Sequence, residues 1–324
     1  MRALLVSEFG KRPELTDTTT PDPGPNDVLI RVEATGLNFA DLLMIEGRYQ
    51  ATPELPFALG LEVSGYVETV GTQVAGFAKG DRICAQVAGG GLAEFAVAPA
   101  SACWQVPDGM PMTTAAGFQI TYGTSYLALL ERARLRPWET LVVLGAAGGV
   151  GLTAVEIGAA LGARVIAVAR GAEKAAIAKA AGASIVLDSD DTDDLKAALK
   201  HHGGVDVVYD AVGGDLGAAA FGALLQGGRF IVIGFASGDV PALKLNHAMV
   251  KNIDIIGVYW GAYAKLAPQK MTDALQELAA WHVAGKITPR VDVVPSLDGA
   301  LDALDRLRQR DATGKLVVQV QSAP

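Results

Sequence analysis

Near the middle of the chain lies the heptapeptide Gly145-Ala146-Ala147-Gly148-Gly149-Val150-Gly151, whose residue types suit the binding of a diphosphate. Glycine has no Cβ, so backbone N–H groups can approach phosphate oxygens closely, and a helix starting at such a turn adds the positive end of its dipole. The flanks supply that context. The apolar run Leu141 to Leu144 precedes the turn, apolar residues at helical spacing follow it, and a second apolar run, Arg164 to Ala169, closes the unit. Strand, glycine turn, helix and strand in that order form a mononucleotide-binding βαβ unit. The glycines are spaced GxxGGxG rather than GxGxxG, and a tight turn that only brings a helix close to a strand is the alternative. A membrane-spanning helix fits less well. Leu141 to Ala169 has only Glu156 and Arg164 as charges, but six glycines interrupt it and β-branched residues cluster at its ends.

The residues after the second strand bear on which dinucleotide would bind. A free ribose 2′-hydroxyl is usually held by Asp or Glu about 20 residues past the glycines. That place is taken by Ala169-Arg170-Gly171, with Lys174 one helical turn further on. Arg170 and Lys174 could pair with a 2′-phosphate, so NADPH is expected in preference to NADH. For Lys174 a solvated surface position is the competing reading.

Such a turn needs a sheet behind it. Past the second strand the pattern continues as helix (Glu173 to Ala181), strand (Ser184 to Leu187), helix (Thr192 to His202), strand (Val205 to Tyr209) and helix (Leu216 to Leu225), then strands Arg229 to Gly234 and Ile253 to Val258. Alternation of this kind implies a doubly wound parallel sheet. The acid run Asp188, Asp190, Asp191, Asp193 and Asp194 could suggest a metal, but carboxylates at a helix start favour the dipole and explain it without one.

The first hundred residues differ in character. Arg2 to Ser7, Asp27 to Ala34, Val63 to Val70, Arg82 to Val87 and Ala93 to Val97 read as short strands separated by Gly/Pro turns, which suggests a partly closed β-domain. Asn38 to Tyr49 interrupts them as a short helix-like turn, and Met112 to Leu135 carries helical spacing up to the glycine unit. The tail has two helix-like segments, Gln269 to Ala284 and Leu297 to Arg310, and ends in a strand, Lys315 to Val320, that looks like a return to the first domain. Residues 1–118 and 260–324 are thus expected to form a β-rich catalytic domain, and 119–259 the cofactor domain.

Composition limits the function classes. At 324 residues the chain can build two cores. Half of its residues are apolar and 38 are glycine, in keeping with an α/β enzyme. A net charge of −8 repels phosphate backbones, so no nucleic-acid partner is expected. The two cysteines, Cys84 and Cys103, suit a reducing compartment, and the N-terminal apolar run is too short for a signal peptide. A cytoplasmic protein without membrane insertion is expected.

Five stretches in order carry a resemblance: GLNFADLL at 36–43, GLEVSGYVETVG at 60–71, GDRI at 80–83, GAAGGVG at 145–151 and ATGKLVV at 312–318. With them the chain resembles the medium-chain dehydrogenase/reductase superfamily, and within it the zinc-free quinone oxidoreductases of the zeta-crystallin type. The resemblance implies a Rossmann cofactor domain and a GroES-like, mostly β catalytic domain. Zinc members place cysteine where this chain has Asn38 and histidine where it has Leu61. Two cysteines and four histidines, none in ligand spacing, cannot build a zinc site, so no metal is expected.

The resemblance further implies reduction of a small electrophilic acceptor, a quinone or an activated alkene, by NADPH. An enone or 2-enoyl-thioester reductase is the nearest alternative, and a structural or RNA-binding role is one of a different class. Asn38, Asp41 and Tyr49 would line the site on the β-domain side as candidate catalytic residues. Asp41 could instead make a helix-terminus contact, and Tyr49 could simply pack. Along the cofactor the resemblance implies Asn38, Thr124, Gly148, Gly149, Val150, Val212, Gly234, Phe235 and Lys315. Tyr259, Trp260 and Tyr263 could wall the pocket of a flat acceptor beside Tyr49, or belong to the core or a dimer contact. A homodimer through the strand near Ile253 to Val258 is implied by the same resemblance.

Overall fold

The computed structural model describes residues 1–322 and groups them into two units, Met1–Ile120 with 264–273 and the stretch from 289 onward, and Thr121–Tyr263 with 274–288. Residues 260–263 and 274–288 therefore group with the second unit and 119–120 with the first, whereas the sequence reading gives all of 260–324 to the first and 119–259 to the second.

The first unit is built from short strands, because its apolar residues alternate and are punctuated by Gly and Pro. In chain order these are β1 (Arg2–Val6), β2 (Glu14–Asp17), β3 (Asp27–Gly36), β4 (Phe57–Ala58), β5 (Glu62–Val70), β6 (Arg82–Gln86), β7 (Phe95–Pro99) and β8 (Cys103–Gln105). β3 is the hub: it pairs antiparallel with both β5 and β7, and the alternating Val28, Ile30 and Val32 are buried with Val63, Val67, Ile83 and Ala96. A small sheet orders β2-β1-β4 beside it.

The second unit contains β9 (Thr140–Leu144), β10 (Arg164–Ala169), β11 (Ile185–Asp188), β12 (Val205–Asp210), β13 (Leu224–Val232) and β14 (Asp254–Gly257). All pair parallel in the order β11-β10-β9-β12-β13-β14. This is the doubly wound order, whose direction reverses between β9 and β12, the place where such sheets bind ligands. The strands read as continuous Val/Ile/Leu runs because helices cover both faces, and Val142, Leu144, Ile166, Val208 and Phe230 are buried.

The last two strands, β15 (Val291–Val294) and β16 (Lys315–Gln319), return to the first unit, where β16 pairs antiparallel with β3. β2, β4, β8 and β15 are not expected from the sequence. β2 and β8 have only four and three residues, too short to show a period. The helical stretch from 112 is not continuous: Met112–Ala116 ends at Gly117 and a new helix runs over Gln119–Tyr126. A Cβ at Gly117 would lie 2.6 Å from the Lys315 stem, so the break leaves room for that lysine. The helix expected from Thr192 begins at Leu195, because the Asp194 carboxylate caps it by accepting from the Ala197 N–H at 2.9 Å.

Between β9 and β10 the helix Gly149–Ala160 packs so closely on its own turn that a Cβ at Gly151 would sit 2.1 Å from the Gly145 carbonyl oxygen. Backbone cannot yield as a side chain can. Gly151→Ala should therefore destabilise the protein by about 1–3 kcal/mol, the usual cost of overpacking, read as a lower midpoint in urea unfolding followed by circular dichroism. An unchanged midpoint would show that the turn has slack.

Candidate functional site

The glycine turn lies at the carboxyl end of β9. Gly148 is the N-cap of the helix that follows, in extended conformation, and no side chain caps that helix. Gly148, Gly149 and Val150 are half-buried, so their backbone is open to a ligand. Beneath them is a network of hydroxyls. Ser125 Oγ lies 2.8 Å from Thr153 Oγ1 and 2.9 Å from the Tyr209 hydroxyl, and both Ser125 and Thr153 donate to the Val150 carbonyl. That network fixes the turn from the side away from any ligand. Thr124, one residue before Ser125, is buried on the same helix.

Across the switch point, Asp210 at the end of β12 organises two more loops. Its Oδ1 accepts the N–H groups of Val212 and Gly213 at 2.9 and 2.8 Å, while its carbonyl accepts those of Ile233 and Gly234. Burial pushes the Asp210 carboxyl up, and the two N–H donors pull it back. Asp210, which positions the expected cofactor residues Val212 and Gly234, is not singled out by the sequence. The available signal is an acid at the end of an apolar strand. Phe235 is exposed beyond Gly234.

At the end of β10, Arg170 is exposed and Lys174 half-buried on the helix Ala172–Ala180. The reading that no carboxylate reaches this place needs correction. The parallel register sets Asp188 of β11 beside Ala169, and the Asp188 carboxylate accepts the Gly171 N–H at 2.9 Å. The acid arrives from the neighbouring strand in space, which sequence spacing along β10 cannot reveal. Thus the acid run has two structural jobs, at Asp188 and at Asp194.

The aromatic trio separates. Trp260 is buried, with its ring where a Cβ on Gly123 would be 2.4 Å away, so it belongs to the core of the second unit. Tyr259 is 40% exposed, and the Tyr263 hydroxyl accepts from Arg132 at 3.5 Å.

In the first unit, Asn38, Asp41, Glu62 and Lys315 form one buried polar cluster. Lys315 Nζ lies 2.6 Å from Glu62 Oε1 and donates to Asn38 Oδ1 at 2.7 Å. Asn38 Nδ2 donates to Glu62 Oε1 at 3.0 Å and to the Gly36 carbonyl at 3.2 Å, and Glu62 Oε2 accepts the Ile120 N–H. Gly36 and Gly117 leave the room through which the lysine stem passes: a Cβ at either would come within 3 Å of it. The sequence does not single out Glu62, because its partner Lys315 stands far along the chain. Asp41 lies on the first turn of the helix Phe39–Ile45 and accepts the N–H groups of Asn38 at 2.7 Å and Gly60 at 3.2 Å. The helix-terminus contact expected as one of its roles is therefore present. Tyr49 packs half-buried against the apolar cluster around Leu42 and Met44.

Burial pushes the Asp41 carboxyl up to about 6, although the Asn38 N–H, the Lys315 ammonium and the Gly60 N–H pull it down and Glu62 adds to the rise. For an acid whose folded value is raised, the stabilising contribution is full below its ordinary value and is lost as pH rises through the folded value. Between about pH 4 and pH 7 the wild type should lose on the order of 2–3 kcal/mol relative to Asp41→Asn, measured by urea unfolding at each pH. A difference that stays flat with pH would contradict the assignment.

Zinc does not fit this cluster. Asn38 is an amide whose N–H groups go to Glu62 and Gly36, Leu61 offers no ligand atom, and Glu62 is already paired with Lys315. Among the described residues no group of three or more His, Cys, Asp or Glu could hold a metal ion. Nor is any helix among them long and apolar enough to cross a membrane.

Residues 24–108 match the alcohol dehydrogenase GroES-like domain family, and residues 149–280 match the zinc-binding dehydrogenase family. The chain is 37% identical to a quinone oxidoreductase-like protein 2 homolog from Nematostella vectensis over 329 aligned residues, covering 99% of this chain and 89% of that protein. Among solved structures it is similar to the quinone oxidoreductase of Thermus thermophilus, also solved in complex with NADPH, with 35% identity, TM-score 0.83, and coverage of 99% and 100% of the two chains. It is likewise similar to the Escherichia coli quinone oxidoreductase complexed with NADPH, with 28% identity, TM-score 0.91, and coverage of 98% and 100%. The glycine-turn sheet, the β-rich unit and this identity along nearly the whole length together establish that the chain belongs to the medium-chain dehydrogenase/reductase superfamily, in its quinone oxidoreductase-like family.

Proposed function

We propose that the protein is an oxidoreductase that uses NADPH to reduce a quinone without zinc. The observation that carries this reading is the uncapped helix at Gly148, set at the switch point of a doubly wound sheet beside an exposed arginine. The NADPH complexes of two family members support it. In this reading the N–H groups of Gly149 and Val150 receive the diphosphate, with Gly148 giving it room. Arg170 and Lys174 receive the 2′-phosphate, and Thr124, Val212, Gly234 and Phe235 border the remainder. When bound, NADPH supplies a hydride from the C4 position of its nicotinamide.

In this reading the bonds of the first unit's residues limit what each can offer a substrate. Both N–H groups of the Asn38 carboxamide are committed, to Glu62 and Gly36, so Asn38 offers only its Oδ1 as an acceptor. Lys315 gives two N–H groups to Glu62 and Asn38 and has a third to offer to an oxygen on which charge develops. Tyr49 in the first unit, and Tyr259 and Tyr263 in the second, each remain a candidate surface for a flat acceptor. Trp260 does not, because its ring is in the core.

Oxidation of NADPH with 1,4-benzoquinone, followed at the nicotinamide absorbance before and after exhaustive chelation, tests the reading. Quinone-dependent turnover should be present and should survive the chelator. Turnover that is lost on chelation and restored by zinc would overturn it, and so would an acceptor panel in which enones react and quinones do not.

A homodimer through the β14 edge is proposed with it. β14 is the outer strand of its sheet, Ile255 on it is 41% exposed, and the preceding helix Leu245–Lys251 exposes Leu245, Met249 and Val250. Unpaired strand edges with apolar flanks invite pairing. Sedimentation velocity should give twice the chain mass of 33.5 kDa, and Ile255→Lys should shift the protein toward monomer. A monomeric wild type would refute the dimer.

A further inference from the structure

The loop at the end of β10 contains two opposed features. Arg170 is exposed and makes no ion pair among the described residues, and Lys174 follows one turn later. Both would favour a phosphate on the adenosine ribose. To the same loop β11 brings Asp188, in register with Ala169, the last residue of β10. Its Oδ1 accepts two backbone N–H groups, from Gly171 at 2.9 Å and from Asp190 at 3.0 Å. Both donors go to the same oxygen, so the lone pairs of Oδ2 remain for a ligand. The N–H groups of Gly171 and Asp190 hold the carboxyl below the usual carboxylate range, and it is ionised at neutral pH.

A carboxylate beside the end of the second strand is the group that accepts a ribose 2′-hydroxyl and repels a 2′-phosphate. In this chain it comes from the third strand of the alternating series rather than the second, fastened by its contact with Gly171. We infer that Asp188 is a specificity-determining residue of the cofactor site, which admits NADH by accepting its 2′-hydroxyl and sets back the advantage that Arg170 and Lys174 give to NADPH. The inference rests on the dinucleotide reading above.

The geometry also separates this role from a purely structural one. Asn at 188 would keep an oxygen for the Gly171 and Asp190 N–H groups and lose only the charge. Ala would lose both. A residue that merely holds the loop would therefore be satisfied by Asn and would affect both cofactors alike. A residue that selects would shift the two in opposite directions.

Dissociation constants of NADPH and NADH, measured by titration of nicotinamide fluorescence on the full chain, test this for the wild type, Asp188→Asn and Asp188→Ala, with thermal unfolding as the check on folding. Asp188→Asn should raise the affinity for NADPH relative to NADH on the order of tenfold, with an unfolding midpoint close to that of the wild type, and the shift should shrink as salt is added. Arg170→Ala should move the ratio the other way. Should Asp188→Asn unfold early, Asp188→Ser, which keeps an oxygen without the charge, gives the same reading. A ratio unchanged in the Asn and Ser variants, or equal loss of both cofactors, overturns the inference and leaves the dinucleotide reading in place. If the wild type binds neither nucleotide, that reading falls and takes the inference with it.

Discussion

The second unit depends on the close approach of Gly151 to the Gly145 carbonyl. With 2.1 Å between that oxygen and the place where a Cβ would be, no residue other than glycine keeps the helix Gly149–Ala160 against its strand. The approach brings the first N–H groups of the helix to the carboxyl edge of the parallel sheet and leaves them without a capping side chain. Unsatisfied helix amides at such an edge are an anion site. The hydroxyls of Ser125, Thr153 and Tyr209 hold the turn from beneath, and Asp210 holds the neighbouring loops. The backbone there is fixed in advance by groups that do not face the ligand.

The first unit solves a different problem. Two carboxylates, one ammonium and one carboxamide are buried together, which is costly unless each is paired. Pairing Lys315 with Glu62 and Asn38 meets that condition and also fixes which way the Asn38 amide points. Asp41 is the exception. It has N–H donors but, among the described residues, no ion-pair partner, and burial pushes its carboxyl up to about 6 against the pull of those donors and of Lys315.

Most of this fold is legible in the sequence because its strongest signals are local. Glycines with flanking apolar runs mark the turn, and alternation of strand and helix marks the sheet. What escapes is whatever depends on residues distant along the chain. Glu62 is an ordinary acid until Lys315 is seen to reach it, and Asp188 belongs to an acid run until the parallel register places it beside Ala169. The fate of Trp260 is decided by the missing side chain of Gly123, more than a hundred residues earlier. Very short strands such as β8 are equally silent, since three residues show no period.

The central claim is that bare amides at the Gly148–Gly151 turn receive the diphosphate of NADPH. Hydrogen exchange measured along an NADPH titration tests it most directly. The account predicts saturable slowing of the amides at 149–151, together with those of the Val212 and Gly234 loops, at a single site per chain. Saturable binding that leaves the exchange of 149–151 unchanged would contradict it.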